Sequence, residues 1–177
     1  KKAQKILQTV QPLLETEDWE AALYMLSVIE TDPKFISPVK DVCASVLKYV
    51  FTDQNITNAN VTIVFGKDEL LTQLKKKYFG KNHLTDVIAF RLNDESEQQI
   101  DGEIYISFPR AKENALKFDE PFEKEITRLM IHGSLHLIGY TDDTSNTKNK
   151  MTQLEDQYLE KIIWENILPS TKKIINE

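Results

Sequence analysis

The sequence HGSLHLIGYTD occupies residues 132–142 and places two of the chain's three histidines four residues apart. Positions i and i+4 of a helix lie on one face, so the imidazoles of His132 and His136 can point at a common atom. Gly139 is a natural helix end, because glycine accepts the left-handed backbone conformation found just past helix C-termini. The chain can then fold back and present Asp142. Two nitrogens, one carboxylate oxygen and an open fourth position form the ligand set of a catalytic zinc site.

A similar spacing, H-x-x-x-H-x-x-G-x-x-(H/D), occurs in zinc peptidases, where a glutamate directly after the first histidine acts as the general base. Gly133 stands at that position here. The stretch therefore predicts a metal site without the peptidase base, which disfavours a zinc peptidase. Two imidazoles and a carboxylate also suit nickel or iron, so the ligand types alone leave the metal open.

Length and composition predict one domain over residues 1–177, because a chain of 177 residues with 41% hydrophobic content can bury a sizeable core. No apolar run approaches the roughly 18–20 residues that span a bilayer, so no membrane association is expected. No secretion signal is visible, and the single cysteine, Cys43, rules out an intramolecular disulfide. These features favour a cytoplasmic location. The net charge of −6 gives no overall attraction to nucleic acid.

Four short apolar segments predict the strands of a small sheet. Residues 61–65 and 86–90 are rich in β-branched and aromatic side chains, and residues 102–108 place apolar side chains at alternate positions. Residues 21–30 fit either a buried strand or a helix by periodicity, and the break at residues 31–33 favours a strand.

Helices are predicted between and after these strands from apolar periodicity, capping residues and end charges. The predicted helices cover residues 1–18 of an N-terminal extension (1–20), then 37–50, 68–80, 109–118, 121–139 and 150–168, before a frayed tail over 170–177. The predicted fold class is therefore α+β: a small mixed β-sheet packed with helices, with the metal site at the end of the longest helix.

A basic segment stands out in this acidic chain. Residues 67–91 carry six basic and three acidic side chains, a local excess of three positive charges. Such side chains make the phosphate contacts of nucleic-acid-binding proteins. A solvated helix end whose lysines complement the helix dipole explains Lys75-Lys76-Lys77 equally well. Asp86, in the same segment, is a candidate either to orient a metal-binding histidine as a hydrogen-bond acceptor or to cap the strand that follows it.

Four segments, in one order along the chain, resemble the YbeY family of bacterial and organellar metal-dependent endoribonucleases. His132–Tyr140 is similar to the family signature H-G-x-L-H-L-x-G-Y, and Val61–Leu71 to the strand and helix that open the family's domain. Tyr78–Phe90 resembles the segment around T-D-V-L-S-F, and Gly102–Asn114 resembles G-D-I-x-I-S-x-x-x-A. The resemblance covers roughly residues 22–160.

This resemblance implies a single-strand-specific endoribonuclease in ribosomal RNA processing and ribosome quality control, with RNA and a ribosomal subunit as partners. It implies one Zn²⁺ per chain, with His132, His136 and Asp142 as metal ligands and catalytic residues. The family's usual third ligand is histidine; Asp142 stands at the matching position. Asp143 is the neighbouring alternative, and the spacing from His132 favours Asp142. The alternative function is a non-catalytic, ribosome-associated RNA-binding module with a structural metal.

A second departure from the family concerns a cation. Phe79 stands where the family typically has an arginine, and a phenylalanine cannot bind phosphate by charge. Lys77, Lys81 and Arg91 are the candidates to supply a substrate-binding charge in its place. Gly133 offers no base, so the nucleophile is left open between an activated water and the 2′-hydroxyl of RNA.

Overall fold

The elements follow the order β-α-β-α-β-β-α-α-α along the computed structural model, which describes residues 23–94, 97 and 99–169. The predicted N-terminal extension over residues 1–20 and the tail over 170–177 lie outside the described residues. The strands are β1 (Leu23–Glu30), β2 (Asn58–Gly66), β3 (Val87–Arg91) and β4 (Ile100–Ser107). The helices are α1 (Lys40–Asp53), α2 (Asp68–Phe79), α3 (Phe108–Phe118), α4 (Phe122–Ile138) and α5 (Ser145–Lys161).

The four strands form one mixed sheet in the order β1-β2-β4-β3. β2 pairs in parallel with both β1 and β4, whereas β3 pairs antiparallel with β4 and forms one edge. The predicted α+β fold with a small mixed sheet is confirmed. Among the described residues, no helix combines the length and apolar character needed to cross a membrane.

The two faces of the sheet carry different helices. Ile104 faces α4, because a Cβ on Gly133 of that helix would lie 2.6 Å from the Ile104 Cγ2 atom. Side chains alternate between faces along a strand, and Ala89 pairs with Ile104. Phe90, the next residue, therefore points to the opposite face, where it contacts the rings of α2 residues Tyr78 and Phe79. The metal-site helix and α2 thus lie on opposite faces of the sheet.

Small residues bring α4 unusually close to β4. A Cβ on Gly102 would lie 2.7 Å from the Leu137 Cδ2 atom, just as one on Gly133 would meet Ile104. Real Cβ atoms do not approach neighbours so closely, so glycine at both positions permits the contact. Cys43 of α1 lies in the same core, and burial raises the pKa of its thiol to about 12. This close packing fixes the height of α4 above the sheet.

The helix after β1 begins later than the sequence predicted. α1 starts at Lys40, whereas the prediction placed Ser37 and Pro38 at the helix start. The Ser37 hydroxyl donates a hydrogen bond to the Glu30 carboxylate instead of capping α1. A good capping residue therefore serves a strand end here, and the helix begins without a side-chain cap.

The predicted boundaries of the last helix are wrong at both ends. α5 covers Ser145–Lys161 rather than residues 150–168. Thr144 and Thr147 form a capping box that starts the helix inside a polar segment, six residues before Met151 becomes its first buried apolar side chain. Apolar periodicity cannot detect such a start. α4 and α5 each contain 17 residues, so the metal-site helix shares the greatest length among the described helices.

Candidate metal centre

Helix α4 and the turn after it bring the three predicted ligands together. His132 and His136 lie on one face of the helix, with their Nε2 atoms 2.9 Å apart. Gly139 ends α4 with a φ of 107°, and its N–H donates to the carbonyl of His136. The Nε2 atoms of His132 and His136 then each lie 3.9 Å from a carboxylate oxygen of Asp142. The spacing in the sequence therefore predicts this convergence correctly.

The distances suit a single metal ion. A tetrahedral zinc ion with bonds of about 2.0–2.1 Å holds its ligand atoms roughly 3.3 Å apart. The three separations of 2.9, 3.9 and 3.9 Å bracket that value. These residues form the one group of three or more potential ligands found among the described residues. The third histidine, His83, is exposed and lies outside the group.

The outer nitrogen of each imidazole has an acceptor. The Nδ1 atom of His132 lies 2.7 Å from a carboxylate oxygen of Glu155, and that of His136 lies 2.9 Å from the carbonyl oxygen of Tyr140. Each Nδ1–H therefore donates, and both Nε2 lone pairs face the same point. Two facing lone pairs repel one another unless a proton or a metal ion lies between them. The donor set consequently fits a cation.

Glu155 is the residue of this centre that the sequence did not single out. It lies on α5, its side chain is 8% exposed, and its second oxygen accepts a bond of 3.3 Å from Arg128. Arg128 also pairs with Asp156. One signal could have revealed Glu155, because it occupies the buried face of α5 four residues after Met151. A carboxylate at a buried helical position needs a partner.

Asp86 does not orient either histidine, although the sequence made it the candidate for that role. Its carboxylate accepts a hydrogen bond of 2.9 Å from the side-chain amide of Asn114, which also donates to Glu125 at 3.0 Å. Burial raises the pKa of Glu125, whereas the bond from Asn114 lowers it. These three residues and His132 line a cleft of about 580 Å³ that opens beside the metal ligands.

The surrounding charges and burial shift the pKa values of the two histidines in opposite directions. Burial lowers the pKa of His132, but the hydrogen bond and charge of Glu155, with Asp142 and Asp86, more than offset it and leave that pKa raised. Burial and the nearby His132 lower the pKa of His136. When the pair of imidazoles takes up one additional proton, that proton therefore resides on His132. A metal ion must displace it to bind.

The basic residues proposed for substrate binding lie in three different settings. Lys77 and Lys81 are exposed at the end of α2 and just after it. Arg91 instead holds the loop after β3 together through five hydrogen bonds, to the Asn93 side chain and to carbonyls that include that of Leu137. Its guanidinium therefore stabilises the conformation of that loop.

Lys75 is a further basic residue whose charge interacts with those of the centre. It is partly buried, and both burial and Lys81 lower the pKa of its ammonium group. The carboxylates of Asp86 and Asp142 act in the opposite direction. The Lys75 ammonium therefore interacts electrostatically with a predicted metal ligand, and its side chain is less exposed than those of Lys76 and Lys77.

The fold and this cluster define an α+β protein with a metal centre of two histidines and one carboxylate beside an open cleft. A family profile described as Endoribonuclease YbeY matches residues 3–163. The chain belongs to the YbeY family, and the predicted resemblance is confirmed.

Individual relatives agree with this assignment. Proteins named Endoribonuclease YbeY from Karelsulcia muelleri and Amoebophilus asiaticus are 39% and 34% identical to this chain over 111 and 128 residues. The alignments cover 63% and 72% of this chain, and 77% and 86% of the two relatives. A solution structure of a Thermotoga maritima protein is similar with a TM-score of 0.51 and 26% identity, over 77% of this chain and 88% of that one.

Proposed function

We propose that this protein is a zinc-dependent endoribonuclease that cleaves single-stranded RNA during ribosomal RNA maturation and ribosome quality control. The observation that carries the proposal is the convergence of His132, His136 and Asp142 in a chain whose family is described as endoribonucleases. The family profile spans residues 3–163, which supports one catalytic domain. Contact with a ribosomal subunit and action in the cytoplasm belong to the same proposal.

Zinc is the ion we assign to the centre, with one ion per chain held by His132, His136 and Asp142. Two imidazole nitrogens and one carboxylate oxygen are ligands that zinc takes in catalytic sites with an open fourth position. A bound zinc ion supplies Lewis-acid polarisation of a phosphoryl oxygen and lowers the pKa of a coordinated water. Glu155 and the Tyr140 carbonyl keep both rings oriented toward the ion.

The chain's own residues would handle the phosphate. Lys75 interacts electrostatically with Asp142, Lys81 acts on Lys75, and both carry charge that can neutralise an RNA backbone. Lys75 is the residue we assign to the task of the family arginine that Phe79 replaces, because it interacts with Asp142 while Lys77 is exposed. Neither histidine has a nitrogen left to act as a general base once Nε2 binds metal and Nδ1 donates its proton.

The non-catalytic alternative is not favoured, because the matching family and the relatives named above are described as endoribonucleases. A peptidase is disfavoured by Gly133, which holds no base at the position after His132.

One experiment tests the proposal directly. The purified full chain is analysed for metal content and incubated with end-labelled RNA, either single-stranded or annealed to its complement. We expect about one zinc per chain and cleavage of the single strand that stops with chelator and returns with zinc. The His132→Ala variant should lack both metal and cleavage. Metal-loaded protein that leaves single-stranded RNA intact, or a variant that cleaves as well as the parent, would contradict the proposal.

A further inference from the structure

Three aromatic side chains form a continuous surface where α2 meets the edge strand β3. We call Tyr78, Phe79 and Phe90 the aromatic platform. The Phe79 ring stacks on Phe90 at an interplanar angle of 18° and a centroid distance of 5.8 Å. The Tyr78 ring meets Phe90 at 5.0 Å. Tyr78 is 57% exposed and Phe79 51% exposed. Two large rings are therefore supported from beneath and open to solvent.

The surroundings of the platform are positively charged. Residues 70–85 contain four lysines and no acidic residue, in a chain whose net charge is −6. Lys76 and Lys77 are exposed, and the Lys77 ammonium lies 4.9 Å from the centre of the Tyr78 ring. A partner for this surface must therefore combine flat apolar faces with negative charge. Single-stranded nucleic acid has both, since every base has a π-face and every nucleotide a phosphate.

One acidic residue sets a boundary to this surface. Phe90 also contacts Tyr105 at 5.9 Å, and the Tyr105 hydroxyl donates a hydrogen bond of 2.7 Å to Glu103. The carboxylate of Glu103 repels phosphate on that side. An anionic ligand is thereby directed toward the lysine end of α2, where Tyr78 and Phe79 lie.

The platform shares helix α2 with Lys75. Tyr78 and Phe79 end α2, one helical turn after Lys75, whose ammonium interacts with the charges of Asp86 and Asp142. An RNA strand that contacts Lys75 can therefore place its neighbouring nucleotides on the platform.

We propose that Tyr78 and Phe79 bind unpaired nucleobases of the RNA by stacking, while Lys76 and Lys77 contact the adjoining phosphates. The inference rests on the proposed function, which supplies the RNA. In this chain Phe79 thus replaces a charge contact to phosphate with a contact to a base. Bases in a duplex are already stacked on their neighbours, so the platform selects single strands.

The test compares two oligonucleotides that differ only in their bases. Binding of the full chain to a fluorescent 2′-O-methyl RNA, and to the same backbone made abasic, is measured by anisotropy, and both are checked for integrity afterwards. Each stacked base contributes a factor of about 5–150 in affinity. We expect the parent to prefer the oligonucleotide with bases by at least that factor, and Phe79→Ala and Tyr78→Ala to lose most of the preference.

Three further variants separate stacking from charge and from general damage. Phe79→Trp should keep the preference. The double variant Lys76→Gln with Lys77→Gln should weaken binding of both oligonucleotides equally and lower the magnitude of the salt slope by about 1.4. Leu116→Ala removes an apolar side chain that is 77% exposed on α3, and it should change neither quantity.

The outcomes distinguish this inference from the proposed function. If the parent cleaves RNA but Phe79→Ala keeps the full preference for bases, the platform is not a base site and the endoribonuclease proposal stands. If the platform binds another protein instead of RNA, Phe79→Ala should also keep the full preference for bases. That result overturns the inference in this case as well. If the preference depends on Phe79 in a parent that does not cleave, the platform stands and the proposed function fails.

Discussion

The metal centre and the end of α2 hold their functional side chains in different ways. His132 and His136 lie on a helix packed against Ile104, and each ring has its outer nitrogen bonded. Lys77 and Phe79 extend from the last turn of α2 into solvent. A metal ion demands ligand atoms within a few tenths of an ångström, whereas a flexible polyanion tolerates long side chains and flat rings. Substitutions in the two regions should therefore differ in size and in kind.

The largest effect is expected from His136→Ala. Loss of an imidazole leaves one nitrogen and one carboxylate, so metal content should fall from about one ion per chain to near zero. Cleavage of single-stranded RNA should fall by more than about 100-fold, since loss of an outer hydrogen-bond partner alone costs 10–100-fold. His83→Ala is the matched control, because His83 is exposed and outside the cluster. Equal metal content in the two variants would contradict the assignment of His136 as a metal ligand.

Glu155→Gln should have the next largest effect. The glutamine oxygen can still accept from His132, but the negative charge that polarises the ring is lost. We expect zinc affinity to fall by about 10-fold, at the lower end of the range for such partners, with little change in RNA affinity. Asp156→Asn is the control, because Asp156 shares the Arg128 ion pair but does not contact a histidine. Competition with a fluorescent zinc chelator measures both variants, and equal affinities would exclude the orienting role.

The sequence predicts the parts of the metal centre that are close together along the chain, and it misses the part contributed by a distant helix. His132, His136, Gly139 and Asp142 fall within eleven residues, so helical periodicity and one turn determine their convergence. Glu155 reaches His132 from another helix. Its role depends on how α5 packs on α4, which single-residue spacing does not encode.

The roles of the basic residues likewise depend on the tertiary fold and could not be assigned from the sequence. Local charge indicated the segment 67–91 correctly as unusual, but it could not rank Lys75 against Arg91. Arg91 binds carbonyls of the loop that follows β3, and the charge of Asp142 acts on the Lys75 ammonium. Both facts depend on the tertiary fold. Phe79 was recognised as a missing charge, and the structure reveals it as part of an exposed aromatic surface.

The pH dependence of zinc binding should sharpen the description of the centre. The pKa of His132 is raised above its usual 6.5 and that of His136 is lowered, so His132 holds the competing proton. In the metal-free protein, protonated His132 adds stability below pH 6.5, and this stability is lost as the pH rises through the raised pKa. Zinc affinity should therefore rise about tenfold per pH unit below that pKa and then level off.

The Glu155→Gln variant gives this pH dependence a control. Glu155 contributes most to raising the pKa of His132, so zinc affinity in the variant should level off at a lower pH than in the parent. Isothermal titration calorimetry in buffers of different ionisation enthalpy counts the released proton directly. An affinity that stays flat between pH 6 and 7 would contradict the assignment of the proton to His132.

The smallest effect is expected from Lys77→Gln. Lys77 is exposed at the end of α2, whereas Lys75 is partly buried and its ammonium interacts with the charges of Asp86 and Asp142. Surface charges of this kind contribute about 0.2–1 kcal/mol, so RNA binding should weaken by roughly two- to fivefold at moderate salt. Zinc affinity should not change.

Lys75→Gln is the matched comparison for Lys77→Gln. Removing the ammonium that interacts electrostatically with Asp142 should lower the cleavage rate of bound RNA, while Lys77→Gln should lower affinity alone. Single-turnover cleavage at saturating protein separates the two, because affinity no longer limits the rate under that condition. If both substitutions changed only affinity, Lys75 would bind RNA in the same way as Lys77 and would have no part in cleavage at the metal centre. If both changed the rate, the whole lysine run would belong to the metal centre.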